Sequence, residues 1–131
     1  MTDDQTTVTG LRIMMREFVA ERQWEKFHTP RNLAVSAAVE AGELLELFQW
    51  LSEDAVNARL GDGAFRQAVA DEMSDVLMYI ISLANRLDID LSAAAEAKMI
   101  RNRMKYPVEK FRGHYQRPLK DRPPMDSAKP D

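Results

Sequence analysis

Glu40 and Glu43 form one i, i+3 pair of carboxylates, and Glu72 and Asp75 form a second. Three-residue spacing puts both acids of a pair on the same helix face. At roughly 100° per residue, Leu33, Ala37, Leu44, Leu47, Phe48 and Leu51 fall on the arc of the first pair. Phe65, Val69, Val76, Tyr79, Ile80, Leu83 and Leu87 surround the second. Ionised carboxylates in an apolar stripe cost several kcal/mol each unless they find partners or hold protons. Two such pairs facing one core repel each other, and a hard cation between the helices is the simplest resolution. Pairing with arginines, or placement at a solvated rim, are the alternatives. With no cysteine and two histidines in the chain, an oxygen-ligated Mg²⁺ or Mn²⁺ fits better than Zn²⁺. Magnesium bound by carboxylates commonly bridges to substrate phosphates, which points to nucleotide or pyrophosphate chemistry.

Two further groups of residues suit that chemistry. Lys98, Asn102 and Lys105 share one helix face, flanked by Arg101 and Arg103, and such groups hold phosphate oxygens, lysine as a point charge and arginine as a fork. A solvated basic helix end, favoured by the macrodipole, is the plainer account of Arg101, Arg103 and Lys105. Trp24, His28, Trp50 and Tyr79 could stack on a planar base and read its edge, although each alone is more often core filler or a satisfied histidine. Glu46, Glu53, Asp54, Asp71 and Glu96 read as surface charge.

The elements that must position these side chains are helices, since no stretch alternates like a half-buried strand. The first is expected from about Leu11 to Lys26, with Thr9 as N-cap. Thr29-Pro30 is a strong start for the second, which runs to about Leu51. Gly61 and Gly63 precede a third from about Ala64 to Leu87, and Asp90 or Ser92 caps a fourth that reaches about Lys105. The expected fold is an all-α, four-helix bundle. Residues 1–8 are expected to be a flexible N-terminus, 9–106 the helical domain, and 107–131 a tail carrying five of the six prolines. That tail is flexible, or is an arm wrapping a neighbouring subunit through Phe111, Tyr115 and Leu119.

The 131 residues, 45% apolar, suit one domain with a modest core. The absence of cysteine and a polar, acidic opening segment, unlike a signal or transit peptide, lead us to expect a cytoplasmic protein. No apolar run is long enough to span a bilayer. A net charge of −3 gives no general attraction to nucleic acid or to anionic membrane.

The stretches WEKFHTPRNLAVSAAVEAGELLELFQW, DEMSDVLMYIISLA and KMIRNRMKYP together resemble the MazG-like all-α nucleoside triphosphate pyrophosphohydrolases, most closely their dCTP pyrophosphatase branch. The resemblance covers roughly residues 11 to 107, through an ExxE pair, an ExxD pair and a lysine-to-asparagine element ending in Tyr-Pro. It implies that Glu40, Glu43, Glu72 and Asp75 are Mg²⁺ ligands and that Lys98 and Asn102 hold the triphosphate. It also implies that His28, Trp50 and Tyr79, with Trp24 beside them, frame base and sugar. A homo-oligomer, dimer or tetramer, is implied as well, with neighbouring chains completing each pocket.

The expected reaction is hydrolysis of dCTP, or of a modified cytosine deoxynucleotide, to the monophosphate and pyrophosphate. Glu43 is the expected proton acceptor and Lys98 the group that stabilises the departing pyrophosphate. A non-catalytic helical regulatory module and a phosphoribosyl-ATP pyrophosphohydrolase are the competing possibilities.

Overall fold

The computed structural model describes residues 1–114. Helices make up its regular structure: α1 (Val8–Glu21), α2 (Pro30–Glu46), α3 (Glu53–Arg59), α4 (Gly63–Leu87), α5 (Leu91–Lys105) and α6 (Val108–Phe111). The all-α class agrees with expectation. The count does not, because two short helices, α3 and α6, join the four long ones. The chain divides into two compact units, Met1–Ser92 and Ala93–Asp131.

Caps set the helix boundaries. Thr7, not Thr9, opens α1, its hydroxyl accepting the Gly10 N–H at 3.0 Å. Val8 is therefore helical rather than part of a flexible N-terminus. The helix stops at Glu21, short of Lys26, because Gln23 turns left-handed (φ 52°) and lets the Trp24 N–H reach back to the Val19 carbonyl at 3.0 Å. That is the closing bond of a Schellman turn. Thr29 and Pro30 begin α2 as expected, with Thr29 Oγ1 accepting from the Asn32 N–H. Residues 47–50 leave the helix as turns, so α2 ends at Glu46 rather than Leu51. Ser52 then caps α3, whose first turn carries Glu53 and Asp54 and whose last carries Arg59, the charge order that the helix dipole favours. Asp62 caps α4 through the Ala64 N–H at 2.9 Å, and Asp88 closes it in the left-handed region (φ 52°).

Within the first unit α4 is the central element, packed against α2 and α1. Phe48, just past the end of α2, meets Phe65 near the start of α4 edge-on, with centroids 5.6 Å apart. The two helices therefore run antiparallel, which brings the middle of one against the middle of the other. At the far end of α4, Arg12 of α1 donates from Nε to Asn85 Oδ1 (2.9 Å) and from Nη1 to the Ile89 carbonyl (3.0 Å). Asn85 Nδ2 in turn donates to the Arg12 carbonyl at 3.0 Å. Asn85→Ala removes both of its bonds in a partly buried place, and the expected cost is about 1–3 kcal/mol. A lowered urea midpoint with an unchanged slope would record it; an unchanged midpoint would contradict it.

Among the described residues the buried apolar side chains are few: Val19, Leu33, Phe65, Ile81 and Ala84, of which Leu33 and Ile81 are fully enclosed. Much of the expected stripe is only half covered, and Ile80 and Leu87 are exposed. In the second unit the expected tail begins with order, since Val108–Phe111 forms a helical turn and the rings of Tyr106 and Phe111 meet edge-on at 5.2 Å. Tyr115 and Leu119 lie outside the described residues. No described helix is long and apolar enough to cross a membrane.

Candidate functional site

The antiparallel α2–α4 pair carries the acids to one place. One carboxylate oxygen from each of Glu40, Glu43 and Glu72 lies within 4.8 Å of the other two. Glu40 and Glu72 are half-buried, whereas Glu43 and Asp75 are exposed, so the acids sit at the edge of the apolar interface rather than within it. Asp75 is outside that trio but close enough for its charge to act on Glu40 and Glu72. Glu72 Oε2 is closed off from solvent and has no hydrogen-bond partner. Among the described residues no lysine or arginine forms an ion pair with the trio.

The electrostatics follow from this crowding. Desolvation, and then the charges of Glu43, Asp75 and Glu72, raise the Glu40 pKa above the ordinary 4.5. Glu72 is raised in the same way, by desolvation first and then by Glu43, Asp75, Asp71 and Glu46. Asp71 and Glu46, expected to be plain surface charge, thus add to the negative field. A three-oxygen donor set with one carboxylate oxygen orphaned suits a hard cation, which would relieve the repulsion and satisfy that oxygen.

A sign follows for the metal-free protein. Carboxyls whose folded pKa is raised bind protons more tightly when folded than when unfolded. They favour the fold while protonated, and that advantage is lost as pH rises above 4.5 and through the raised values. In chelator, the melting temperature is expected to climb as pH is lowered from about 7 toward about 5, and Mg²⁺ at neutral pH is expected to flatten the trend. Melts with the same pH dependence in chelator and in Mg²⁺ would refute this.

Beside the acids lies a cavity of about 430 Å³ whose wall includes Asp75, Trp24, His28, Tyr79, Phe18 and Met78. The turn after α1 builds part of it. Once Gln23 has reversed the chain, the Phe27 and His28 N–H groups both donate to the Trp24 carbonyl, at 2.9 and 3.1 Å. Asn32 Nδ2 fastens the loop by donating to the Phe27 carbonyl at 3.0 Å. Trp24 stands edge-on to Phe18 at 5.8 Å, and His28 lies 6.3 Å from Trp24. Tyr79, one helical turn beyond Asp75 on α4, supplies the facing ring.

One expected aromatic is not part of this wall. Trp50 is 87% exposed and absent from the cavity wall; Phe48, two residues before it, meets Phe65 near the start of α4, whereas the wall uses Asp75, Tyr79 and Ser82 further along that helix. Lys98 and Asn102 belong to the second unit, four residues apart on α5, the first exposed and the second half-buried. Met14, Met15 and Phe18 of α1 also border this cavity. A second cavity, of about 320 Å³, shares Met15, His28 and Ser82 with the first and adds Arg16, Glu25, Asn85 and Arg86. Ser82 was missed. Its spacing of seven from Asp75 on an apolar face was the available signal.

Comparison with known proteins adds an independent line. A family model described as MazG-like matches residues 35–117. The chain is 44% identical to dCTP pyrophosphatase 1 of Rattus norvegicus over 109 residues, which is 83% of this chain and 64% of that one. It is 42% identical to dCTP pyrophosphatase 1 of Homo sapiens over 104 residues, 79% of this chain and 61% of that one. The chain thus spans less than two thirds of the length of these relatives. A crystal structure of a pyrophosphatase from Archaeoglobus fulgidus superposes with a TM-score of 0.72 at 38% identity, covering 82% of this chain and 98% of that one. A matched segment of this extent, together with relatives this similar, makes the chain a member of the MazG-like family.

Proposed function

We propose that this protein is a Mg²⁺-dependent nucleoside triphosphate pyrophosphohydrolase that converts dCTP, or a modified cytosine deoxynucleotide, to the monophosphate and pyrophosphate. The observation that carries this is the clustering of Glu40, Glu43 and Glu72 oxygens beside an aromatic cavity whose wall contains Asp75. One part suits a cation with phosphates, and the other suits a planar base. The relatives named dCTP pyrophosphatase 1 support the choice of substrate.

In this proposal Glu40, Glu43, Glu72 and Asp75 hold the ion, with Mn²⁺ an acceptable substitute. When bound, it neutralises charge on the phosphate oxygens and makes the attacking water more acidic. Glu43, the exposed member of the trio, takes the proton from that water. The water oxygen bonds to the α-phosphorus, the bond from that phosphorus to the bridging oxygen breaks, and pyrophosphate leaves with the electron pair. Lys98 stabilises the departing group and Asn102 binds triphosphate oxygens. Trp24, His28 and Tyr79 frame base and sugar.

Trp50 joins them only through association of chains, and the protomer has surface suited to that. Val35 and Val39 on α2, and Leu77 and Ile80 on α4, leave apolar side chains 39–53% exposed, which an assembly would cover. A homo-oligomer, dimer or tetramer, in the cytoplasm completes the proposal. Pyrophosphate release from a nucleotide panel, with and without Mg²⁺, tests it: dCTP or its 5-methyl form should lead. Release from no nucleotide would favour a regulatory helical module, and turnover confined to phosphoribosyl-ATP would favour that enzyme class instead.

A further inference from the structure

Ser82 sits where the two cavities of the first unit meet, in the wall of both. It is 6% exposed, and its Oγ has no hydrogen-bond partner. A serine inside a helix ordinarily turns its hydroxyl onto the carbonyl four residues earlier. Ser74, two turns back on the same helix, does so, with Oγ donating to the Ala70 carbonyl at 2.7 Å. Ser82 does not, although the chain offers the Met78 carbonyl at the same spacing. The hydroxyl therefore stays unmet in a buried place, a destabilising placement.

Ser82 follows Asp75 by seven residues, which puts it on the same face of α4 and about 10 Å further along the axis. Asp75 touches the acid cluster electrostatically and also borders the aromatic cavity. A nucleoside whose phosphates lie at the acids and whose ring lies against Trp24 and Tyr79 would extend along α4 toward Ser82. The neighbouring wall residues Met15 and Met78 are unbranched thioethers that rearrange at low cost, so they can uncover the hydroxyl for an entering ring.

We propose that Ser82 is a base-reading residue, its hydroxyl pairing with the polar edge of the pyrimidine that enters the cavity beside Trp24, His28 and Tyr79. This rests on the pyrophosphohydrolase proposal above and goes beyond it by assigning selectivity to a residue outside the acid, cation and aromatic groups. The hydroxyl accepts from the exocyclic amine of cytosine, a donor that thymine lacks, while His28 supplies the second polar contact in the same wall.

The test is Ser82→Ala, with Ser82→Thr as the variant that keeps the hydroxyl. Steady-state kinetics with dCTP and dTTP would be paired with calorimetric titration of dCMP. For Ser82→Ala we expect the KM for dCTP and the dissociation constant of dCMP to rise about fivefold to tenfold, the scale of one neutral hydrogen bond. The kcat should stay within about twofold, and the preference for dCTP over dTTP should shrink by the same factor as the affinity. The melting temperature should hold or rise, because an unmet buried group has been removed, and Ser82→Thr should restore the preference. A purely structural serine would move none of the nucleotide parameters. Unchanged KM, dCMP affinity and dCTP preference in an active Ser82→Ala enzyme would overturn the role of Ser82 alone. A wild-type protein that releases pyrophosphate from no nucleotide would overturn the enzymatic proposal and this inference with it.

Discussion

Glu72→Gln is expected to lower Mg²⁺-dependent release of pyrophosphate from dCTP by about a thousand-fold or more, while the helices remain folded. The amide keeps the size of the side chain but loses the charge that makes the group a cation ligand. Glu72 is the acid to change because its Oε2 is shut off from water without a partner, so no solvent can substitute for an ion there. The same change removes one of the like charges crowding Glu40 and Glu43. In chelator the variant should therefore melt above the wild type, and the gain that Mg²⁺ gives the wild type should vanish. Loss of activity with a gain in metal-free stability separates removal of a ligand from damage to the fold. A Glu72→Gln protein that keeps full Mg²⁺-dependent turnover would eliminate the acid cluster as the reaction centre.

Trp24→Ala is expected to raise the KM for dCTP about tenfold to a hundredfold, with a smaller change in kcat, on the scale measured for a base stacked on an aromatic ring. The indole is 42% exposed and makes its ring contacts with Phe18 and His28. Its removal therefore costs little of the buried core, and the loss should appear in nucleotide affinity before it appears in stability. Titration of dCMP in chelator isolates the base contribution from that of the phosphates. Equal affinity of wild type and variant would place the base elsewhere than in the cavity beside Asp75.

The acid cluster was legible because its information is local. Spacing of three within a helix, apolar neighbours on the same arc and two such segments in succession predict that Glu40, Glu43, Glu72 and Asp75 meet; the first three do, and Asp75 lies outside that trio. Their depth was not legible. Periodicity gives the direction of a side chain but not what covers it, and Glu43 and Asp75 turn out exposed. Helix starts were easier than helix ends for a similar reason. Thr29-Pro30 announces α2 within two residues, whereas the end of α1 depends on Gln23 accepting a left-handed conformation that its residue type does not advertise. The short α3 escaped notice because seven residues contain too few turns for a period to show, although Ser52 with Glu53 and Asp54 was a usable start signal.

The cavity was half legible. Trp24, His28 and Tyr79 stood out by type, and the turn that gathers them uses backbone bonds to the Trp24 carbonyl that no side-chain pattern encodes. Asn85 and Arg12 fasten α1 to α4 across 73 positions of sequence, a distance over which spacing carries no information. Trp50 was chosen by type, and within one protomer it stands away from the wall because the end of α2 meets the start of α4.

The sparse interior has a consequence of its own. Among the described residues the buried apolar side chains are Val19, Leu33, Phe65, Ile81 and Ala84, a modest source of cohesion within one copy. In the proposed homo-oligomer a neighbouring copy would cover its oily flanks, and folding and assembly would form a single equilibrium governed by how many copies share the solution. For such a molecule, dilution acts as a denaturant.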